Sequence, residues 1–341
     1  MPVTIKDVAQ VAGVSHPTVS RALRGDKRVT PETVNRIRQI AQELGYVPSA
    51  AARSLKTNRT RVIGILVHRV SDPFYSEVID GIEDVLQAEG YSIFLASSDN
   101  DRAREAKIFR AMTERRVDGL IVCSMYITNE DRRNMNLHAA PLVLIHNRAE
   151  EITPFTIYHD DRYGAREMTR HLLDLGHTRI AFIGNERAGR SSNERRAGYL
   201  EAMRAANLEP DPAWITQAAF AQPQAAAAPV NALLALAKPP TALVCFDDLL
   251  AIGVMQVLYN ARRHIPRDIS VTGFDNIVLA EYMNPPLTTF NQPKYSLGAQ
   301  AAQMLLDSMR AAAPTDPAST VLTLRGEIIT RASTAPPSTL V

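Results

Sequence analysis

Thr4-Ile-Lys-Asp-Val-Ala-Gln-Val-Ala-Gly-Val-Ser-His-Pro-Thr-Val-Ser-Arg-Ala-Leu-Arg24 decides the reading of this chain. Thr4 and Asp7 have the spacing of a capping box that opens a helix. Ile5, Val8, Ala9 and Ala12 then fall on one helical stripe. Gly13 supplies a tight turn. Ser15 can cap a second helix, and Pro17 is tolerated in a first turn, which has no intrahelical N–H bond to lose. Val19 and Leu23 face inward, leaving His16, Pro17, Ser20 and Arg21 on the outer face. That is the layout of a helix-turn-helix, whose second helix presents its first residues to base edges in the DNA major groove. A small helical hairpin packed on its own protein has the same apolar pattern.

The next residues separate the two readings. Thr30-Pro31-Glu32 opens a third helix with Val34, Ile37, Ala41 and Leu44 on one face, ended by Gly45. Tyr46-Val-Pro-Ser-Ala-Ala-Ala-Arg-Ser-Leu-Lys56 follows, with Ser49 able to cap a short Ala-rich segment. With Asp7-Val-Ala9, Ala12-Gly-Val-Ser15 and Thr18-Val-Ser-Arg-Ala-Leu23, these motifs make residues 3–61 similar to the DNA-binding headpiece of the lactose-repressor (LacI/GalR) family. The resemblance runs on to about residue 332.

Charge divides the chain at the same place. The whole sequence has 38 Lys+Arg against 36 Asp+Glu. Residues 1–61 hold 11 basic and four acidic residues, a net of +7, which leaves 27 against 32, or −5, for the rest. A basic module on an acidic body is a footprint for a polyanion, with affinity that falls steeply with salt. Cys123 and Cys245 are the two cysteines of the sequence, too few for a disulfide framework. No secretory segment precedes Thr4 and no apolar run approaches a membrane span, so a cytoplasmic protein without membrane contact is expected.

From Val62 the pattern alternates strand and helix. Val62-Ile-Gly-Ile-Leu-Val67 reads as a strand buried on both faces. A helix from about Phe74 to Glu89 ends at Gly90, and further strands are expected at 91–96, 119–123, 141–145, 179–184, 242–246 and 270–274. This is a parallel α/β pattern long enough for two doubly wound sheets. Residues 218–229 read as a loop and helix start, and the tail after Thr334 as disordered.

The resemblance implies more than periodicity gives. It implies an all-α headpiece over residues 1–47, a hinge helix and linker over 48–61, and a periplasmic-binding-protein-like α/β body of two lobes. Residues 62–160 with 291–323 would form the N-terminal lobe, and 161–290 with 324–334 the C-terminal lobe, before a tail of 335–341. His16, Pro17 and Arg21 match base-contacting positions, Arg21 with a fork suited to guanine. Ser15, Thr18, Ser20 and Tyr46 match phosphate contacts, which position without specifying. Ala52, Leu55 and Lys56 lie in the hinge helix, where Leu55 matches a wedge into the minor groove; its alternative is packing on its own domain. So short a helix is unstable alone and would form on DNA beside its twin from a second subunit. The tail lacks a leucine heptad, so a homodimer on a pseudo-palindromic operator is expected.

The effector site is expected at strand ends, where open α/β sheets bind ligands. Under the family resemblance, Asp72, Phe74, Tyr75, Ser124, His146, Asn147, Asp160, Arg195, Phe220, Asp247 and Asp275 are the candidates there. Asp72 is either a helix N-cap or a carboxylate reaching ligand hydroxyls, and Phe74 an aromatic platform or core. Arg195 matches the family's ligand-clamping arginine, whose alternative is a surface salt bridge. Asp247 is a contact or a cap, and Asp275 a ligand or a loop hydrogen-bonder. Polar groups mixed with one or two aromatic faces favour a sugar effector, with a nucleobase or other metabolite as the alternative. The adjacent Asp247 and Asp248 invite an enzyme reading, but the sequence has no P-loop, nucleophile elbow or metal-binding spacing to support one. No enzyme activity, cofactor or metal is therefore expected. A solute-binding module with a vestigial headpiece is disfavoured by the intact Thr18-Val-Ser-Arg21.

Overall fold

The computed structural model describes residues 3–47, 59–99, 101–123, 140–146, 153, 155–310 and 320–338. The hinge residues Ala52, Leu55 and Lys56 and the cleft candidates Ser124 and Asn147 lie outside the described residues. The chain divides into two compact units, residues 1–61 and 62–341.

The first unit is three helices: α1 (Ile5–Ala12), α2 (His16–Leu23) and α3 (Pro31–Glu43). Thr4 donates to Asp7 through both its backbone N and its hydroxyl, each at 2.7 Å. Gly13 ends α1 with φ +62°, a left-handed turn that a Cβ would strain. Ser15 caps α2 by accepting from Thr18 N, and Thr30 caps α3 in the same way from Thr33 N. Such caps are each worth about 1 kcal/mol. Val8, Ala9, Ala12, Val19, Ala22, Ile37 and Ala41 close the core. An Arg36 guanidinium N–H donates to Ala12 O at 3.0 Å and ties α3 to the end of α1.

The second unit contains two six-stranded sheets. The first lobe is built from β1 (Val62–Val67), α4 (Pro73–Ala88), β2 (Ser92–Ser97), α5 (Arg102–Glu114), β3 (Gly119–Val122), β4 (Leu142–Ile145) and β5 (Phe155–His159). The second runs through α6 (Asp161–Asp174), β6 (Ile180–Asn185), α7 (Gly189–Ala205), β7 (Ile215–Ala218), α8 (Ala227–Leu234), β8 (Ala242–Cys245), α9 (Asp248–Asn260), β9 (Ser270–Asp275), α10 (Leu279–Tyr282) and β10 (Thr288–Asn291). The chain then returns to the first lobe for α11 (Lys294–Arg310) and β11 (Thr320–Leu324), and ends in the second with β12 (Glu327–Ile329). The sheet orders are β11-β5-β4-β3-β1-β2 and β12-β10-β9-β8-β6-β7. All pairings are parallel except that of β10 with β12.

β1 is buried on both faces. Ile63, Ile65 and Val67 join one core cluster and Leu66 the other. In the first lobe α4 crosses α11 so closely that a Cβ on Gly298 would stand 1.9 Å from Val78 O. The second lobe repeats this between α6 and α7, where a Cβ on Gly198 would stand 2.1 Å from Arg162 O.

The expected strands from 62 to 274 are present with ends shifted by a residue or two, but β5, β7, β10, β11 and β12 are additional. They are short and polar: Ile215-Thr-Gln-Ala218 and Thr288-Thr-Phe-Asn291 have no continuous apolar run to mark them. The expectation of disorder directly after Thr334 is corrected for residues 335–338. Ala335 N donates to Ser270 Oγ at 3.2 Å, and Ala335 O lies 2.9 Å from His177 Nε2, so the tail is bonded to the edge of β9. Among the described residues no helix is long and apolar enough to cross a membrane.

Candidate functional site

In the first unit α2 carries its candidates on one side. Val19 and Ala22 are buried, whereas Ser15, His16, Pro17 and Arg21 are exposed. Thr18, Ser20 and Tyr46 are half-buried; Tyr46 also leans on the three-helix core. The hydroxyls of Ser15 and Thr18 are 2.9 Å apart at the helix N-terminus, a position where backbone N–H groups and the helix dipole favour a phosphate. A rigid, capped helix thus presents an imidazole, an apolar ring and a guanidinium side by side.

The second unit holds a cavity of about 370 Å³. Its walls come from the carboxyl ends of strands in both sheets. The first lobe contributes His68 and Arg69 after β1, Asp72, Phe74 and Tyr75 at the start of α4, Asp99 after β2, Cys123 after β3 and His146 after β4. The second contributes Asn185 and Arg187 around the end of β6, Ser191 and Arg195 from α7, Phe220 after β7, Phe246 and Asp247 after β8, and Asp275 at the end of β9. Gln292 lies at the crossing after β10.

Of the candidates named from sequence, Asp72, Phe74, Tyr75, His146, Arg195, Phe220, Asp247 and Asp275 are brought together here. Asp160 is not. It caps α6 by accepting from Tyr163 N at 3.0 Å, and its other oxygen accepts from Arg325 at 3.0 Å. Both of its carboxylate oxygens are engaged outside the cavity. His68, Arg69, Asp99, Asn185, Arg187, Ser191, Phe246 and Gln292 were missed. Most of them follow a β-strand within two or three residues, so the strand-end rule carried the signal.

Several alternatives left open by the sequence turn out to coexist. Asp72 accepts from Phe74 N at 3.0 Å and Asp247 from Leu250 N at 2.7 Å, so both cap helices while facing the cavity. Phe74 is buried in the first-lobe core and still reaches the wall. Phe220 presents more, being 37% exposed, with the Arg187 guanidinium 5.8 Å over its ring. Arg195 is no surface ion pair. It is 5% exposed, its Nε donates to Asp161 at 2.9 Å, and its Nη1 donates to Phe246 O. Its guanidinium lies 3.8 Å over the Phe274 ring and 4.4 Å over that of Phe246. Nη2 is 3.7 Å from Asp275 Oδ1.

Burial sets the charge states. It pushes the Asp247 carboxyl up to about 7 and that of Asp275 well above the usual range, against the pull of Arg195 on each. It raises Asp72 as well, and pulls the His146 imidazole down to about 4, which keeps it neutral. His146 Nε2 and Gln292 Oε1 are buried without a hydrogen-bond partner among the described residues, two polar atoms available to a ligand. Asp248, beside Asp247, accepts instead from Thr289 Oγ1 at 2.6 Å and Ile277 N at 2.8 Å. Its partners are structural, which removes the paired-carboxylate enzyme reading. Among the described residues no group of His, Cys, Asp and Glu is placed to hold a metal ion.

A helix-turn-helix joined to a two-lobed body with a cleft at its strand ends defines a DNA-binding transcription regulator with an effector domain. Residues 4–49 match the model of bacterial regulatory proteins of the lacI family, and residues 169–334 that of a periplasmic binding protein-like domain. The chain is 39% identical over 308 residues to the HTH-type transcriptional repressor PurR of Vibrio campbellii, covering 90% of this chain and 92% of that one. A lac repressor dimer bound to operator and the anti-inducer ONPF shares the fold, with a TM-score of 0.86 at 24% identity over 98% of this chain and all of that one. The transcriptional regulator CelR in complex with cellobiose aligns with a TM-score of 0.71 at 27% identity, over 97% of this chain and 99% of that one. The chain belongs to the LacI family. It is a DNA-binding transcriptional repressor and not an enzyme.

Proposed function

We propose that this repressor binds a pseudo-palindromic operator as a homodimer and that a nucleobase in the cleft sets its operator affinity. The observation that carries the effector class is the Asp275–Arg195 pair, 3.7 Å apart, which lines the same cavity as the partly exposed ring of Phe220. A heterocyclic base offers adjacent donors and acceptors along one edge and a flat face for stacking. The pair matches the edge and Phe220 matches the face. The cavity volume lies at the small end of the range for small-molecule sites. The relative's name, PurR, supports the same class over a carbohydrate.

His16, Pro17 and Arg21 are the base readers in this account, and Ser15, Thr18, Ser20 and Tyr46 contact phosphates. Val278, Leu279 and Tyr282 form an exposed apolar surface around α10 that a second copy would cover. Effector binding shifts the balance between two arrangements of the body, and the change in operator affinity is bounded by the differential affinity of the effector for them.

A carbohydrate effector is the second reading. It is favoured by the complex of CelR with cellobiose and by the four wall carboxyl groups of Asp72, Asp99, Asp247 and Asp275, which can accept from sugar hydroxyls. Calorimetric titration of the full chain with hypoxanthine, guanine and adenine, and with glucose, ribose and cellobiose, separates the two. Binding by a base and not by the sugars supports the proposal; the reverse selects the second reading.

A further inference from the structure

We infer that Asp161 determines the charge selectivity of the cleft: by holding and neutralising Arg195, it makes the cavity a site for neutral or cationic effectors and excludes anions. This rests on the reading of the cavity as the effector site. Asp161 is the first residue of α6, two residues after the end of β5, where the chain passes between lobes. It does not line the cavity and is 1% exposed. Its Oδ1 accepts from Arg195 Nε at 2.9 Å, its Oδ2 lies 3.5 Å from Arg190 Nη1, and His159 Nδ1 stands 4.0 Å away. Burial would raise its pKa, but the attraction of Arg195 and the contact with His159 outweigh it and hold the carboxyl below its ordinary range. A buried arginine with such a partner keeps its N–H donors but offers little net charge to a third group.

The rest of the wall follows the same pattern. Arg69 is bonded to Asp99, with Nε 3.1 Å from Oδ1. Asp72, Asp247 and Asp275 remain on the wall with their carboxyl pKa values raised by burial, and Arg187 stands over the Phe220 ring. His146 stays neutral. An anionic effector would be desolvated beside carboxyl groups whose ionisation burial already opposes, and would find the central arginine already paired with Asp161. A neutral effector with N–H or O–H donors finds acceptors in Asp72, Asp247, Asp275 and Gln292 Oε1, and fixed donors in Arg195.

The test compares matched neutral and anionic probes on the full chain by calorimetry at pH 7.5: hypoxanthine against urate, and glucose against glucuronate. In the wild type the neutral member of the pair that binds should bind at least 100-fold more tightly than its anion. Asp161→Asn leaves the Arg195 charge uncompensated and should narrow that ratio at least tenfold, chiefly by strengthening the anion; Asp161→Glu should restore the wild-type ratio. An anion that binds as well as its neutral counterpart overturns the inference. So does a folded Asp161→Asn protein with an unchanged ratio, which would leave Asp161 a purely structural role. Should Asp161→Asn not fold, Asp161→Ser takes its place and is read against the same ratio, with the same two outcomes. Selective binding of glucose would refute the nucleobase reading while leaving the charge rule standing. Silence from all four probes would remove the effector site and the inference with it.

Discussion

Lys294 Nζ donates to the backbone oxygen of Asp275 at 2.6 Å and to that of Asn276 at 3.0 Å. Lys294 starts α11 in the first lobe, and Asp275 ends β9 in the second. The ammonium also lies 3.3 Å from Glu77 on α4. A buried cation therefore fastens the backbone that carries the cleft residue Asp275 to two helices of the opposite lobe. Asp275 and Asn276 have φ of +109° and +53°, conformations that side-chain-bearing residues rarely adopt and that need such over-determination.

Replacing Lys294 by Met keeps the length of the side chain and removes these bonds. Each hydrogen bond from a charged group contributes about 1.5–3 kcal/mol. The variant should lower the melting temperature of the body and weaken effector binding together. Thermal unfolding and calorimetry read both; an unchanged melting temperature would mean that the ammonium does not join the lobes.

Gly298 lies where α4 and α11 cross. Gly298→Ala would place a methyl group 1.9 Å from Val78 O, so the helices must part. Overpacking of a tight interior costs about 1–3 kcal/mol and occasionally more. Thermal unfolding should show that loss, while circular dichroism of an isolated fragment spanning residues 1–61 supplies the reference spectrum for an unaltered headpiece. Wild-type stability in the variant would contradict the close crossing.

The raised pKa values give the effector-free protein a direction of pH dependence. Asp247 and Asp248 ionise near 3.8 when solvated and are each pushed up to about 7 by burial. The folded state holds these protons more tightly than the unfolded state. The resulting stability is complete below about pH 4 and is lost as pH rises through 7. Melting temperature should fall between pH 5 and 8. Asp247→Asn retains a capping residue, cannot ionise, and should flatten that slope. An equally steep slope in the variant would show that Asp247 ionises normally in the fold.

Arg21 is exposed on α2, and its role is read on DNA. Arg21→Ala should cost about 1–3 kcal/mol of operator binding and relax the preference at one base pair per half-site. Effector binding by the body should be unchanged. Fluorescence anisotropy across a salt series checks this; unaltered affinity would place α2 in a different docking geometry.

The sequence made the headpiece legible residue by residue, because its determinants are local. Thr4 with Asp7, Gly13, Ser15 and Thr30 act within three or four positions of themselves, and the apolar stripes follow helical spacing. β1 was legible for the same reason, as an unbroken apolar run. The cleft was less so. Asp72, Arg195 and Asp275 came from family resemblance, whereas Arg69, Asp99 and Gln292 are far apart in sequence and meet through sheet topology alone. Asp161 carries no local mark: its significance lies in burial beside Arg195, 34 residues away. Asp160, its neighbour and a candidate from the sequence, is bonded elsewhere.

The most direct test of the account is operator affinity with and without a base. Duplexes selected by the full chain from a random pool would be titrated by anisotropy at fixed salt, in the absence and in the presence of saturating hypoxanthine or guanine. The account predicts pseudo-palindromic selected sites and a change of at least tenfold in the dissociation constant with a base, and none with glucose or cellobiose. An affinity indifferent to every base, in a protein that binds its operator tightly, would contradict it.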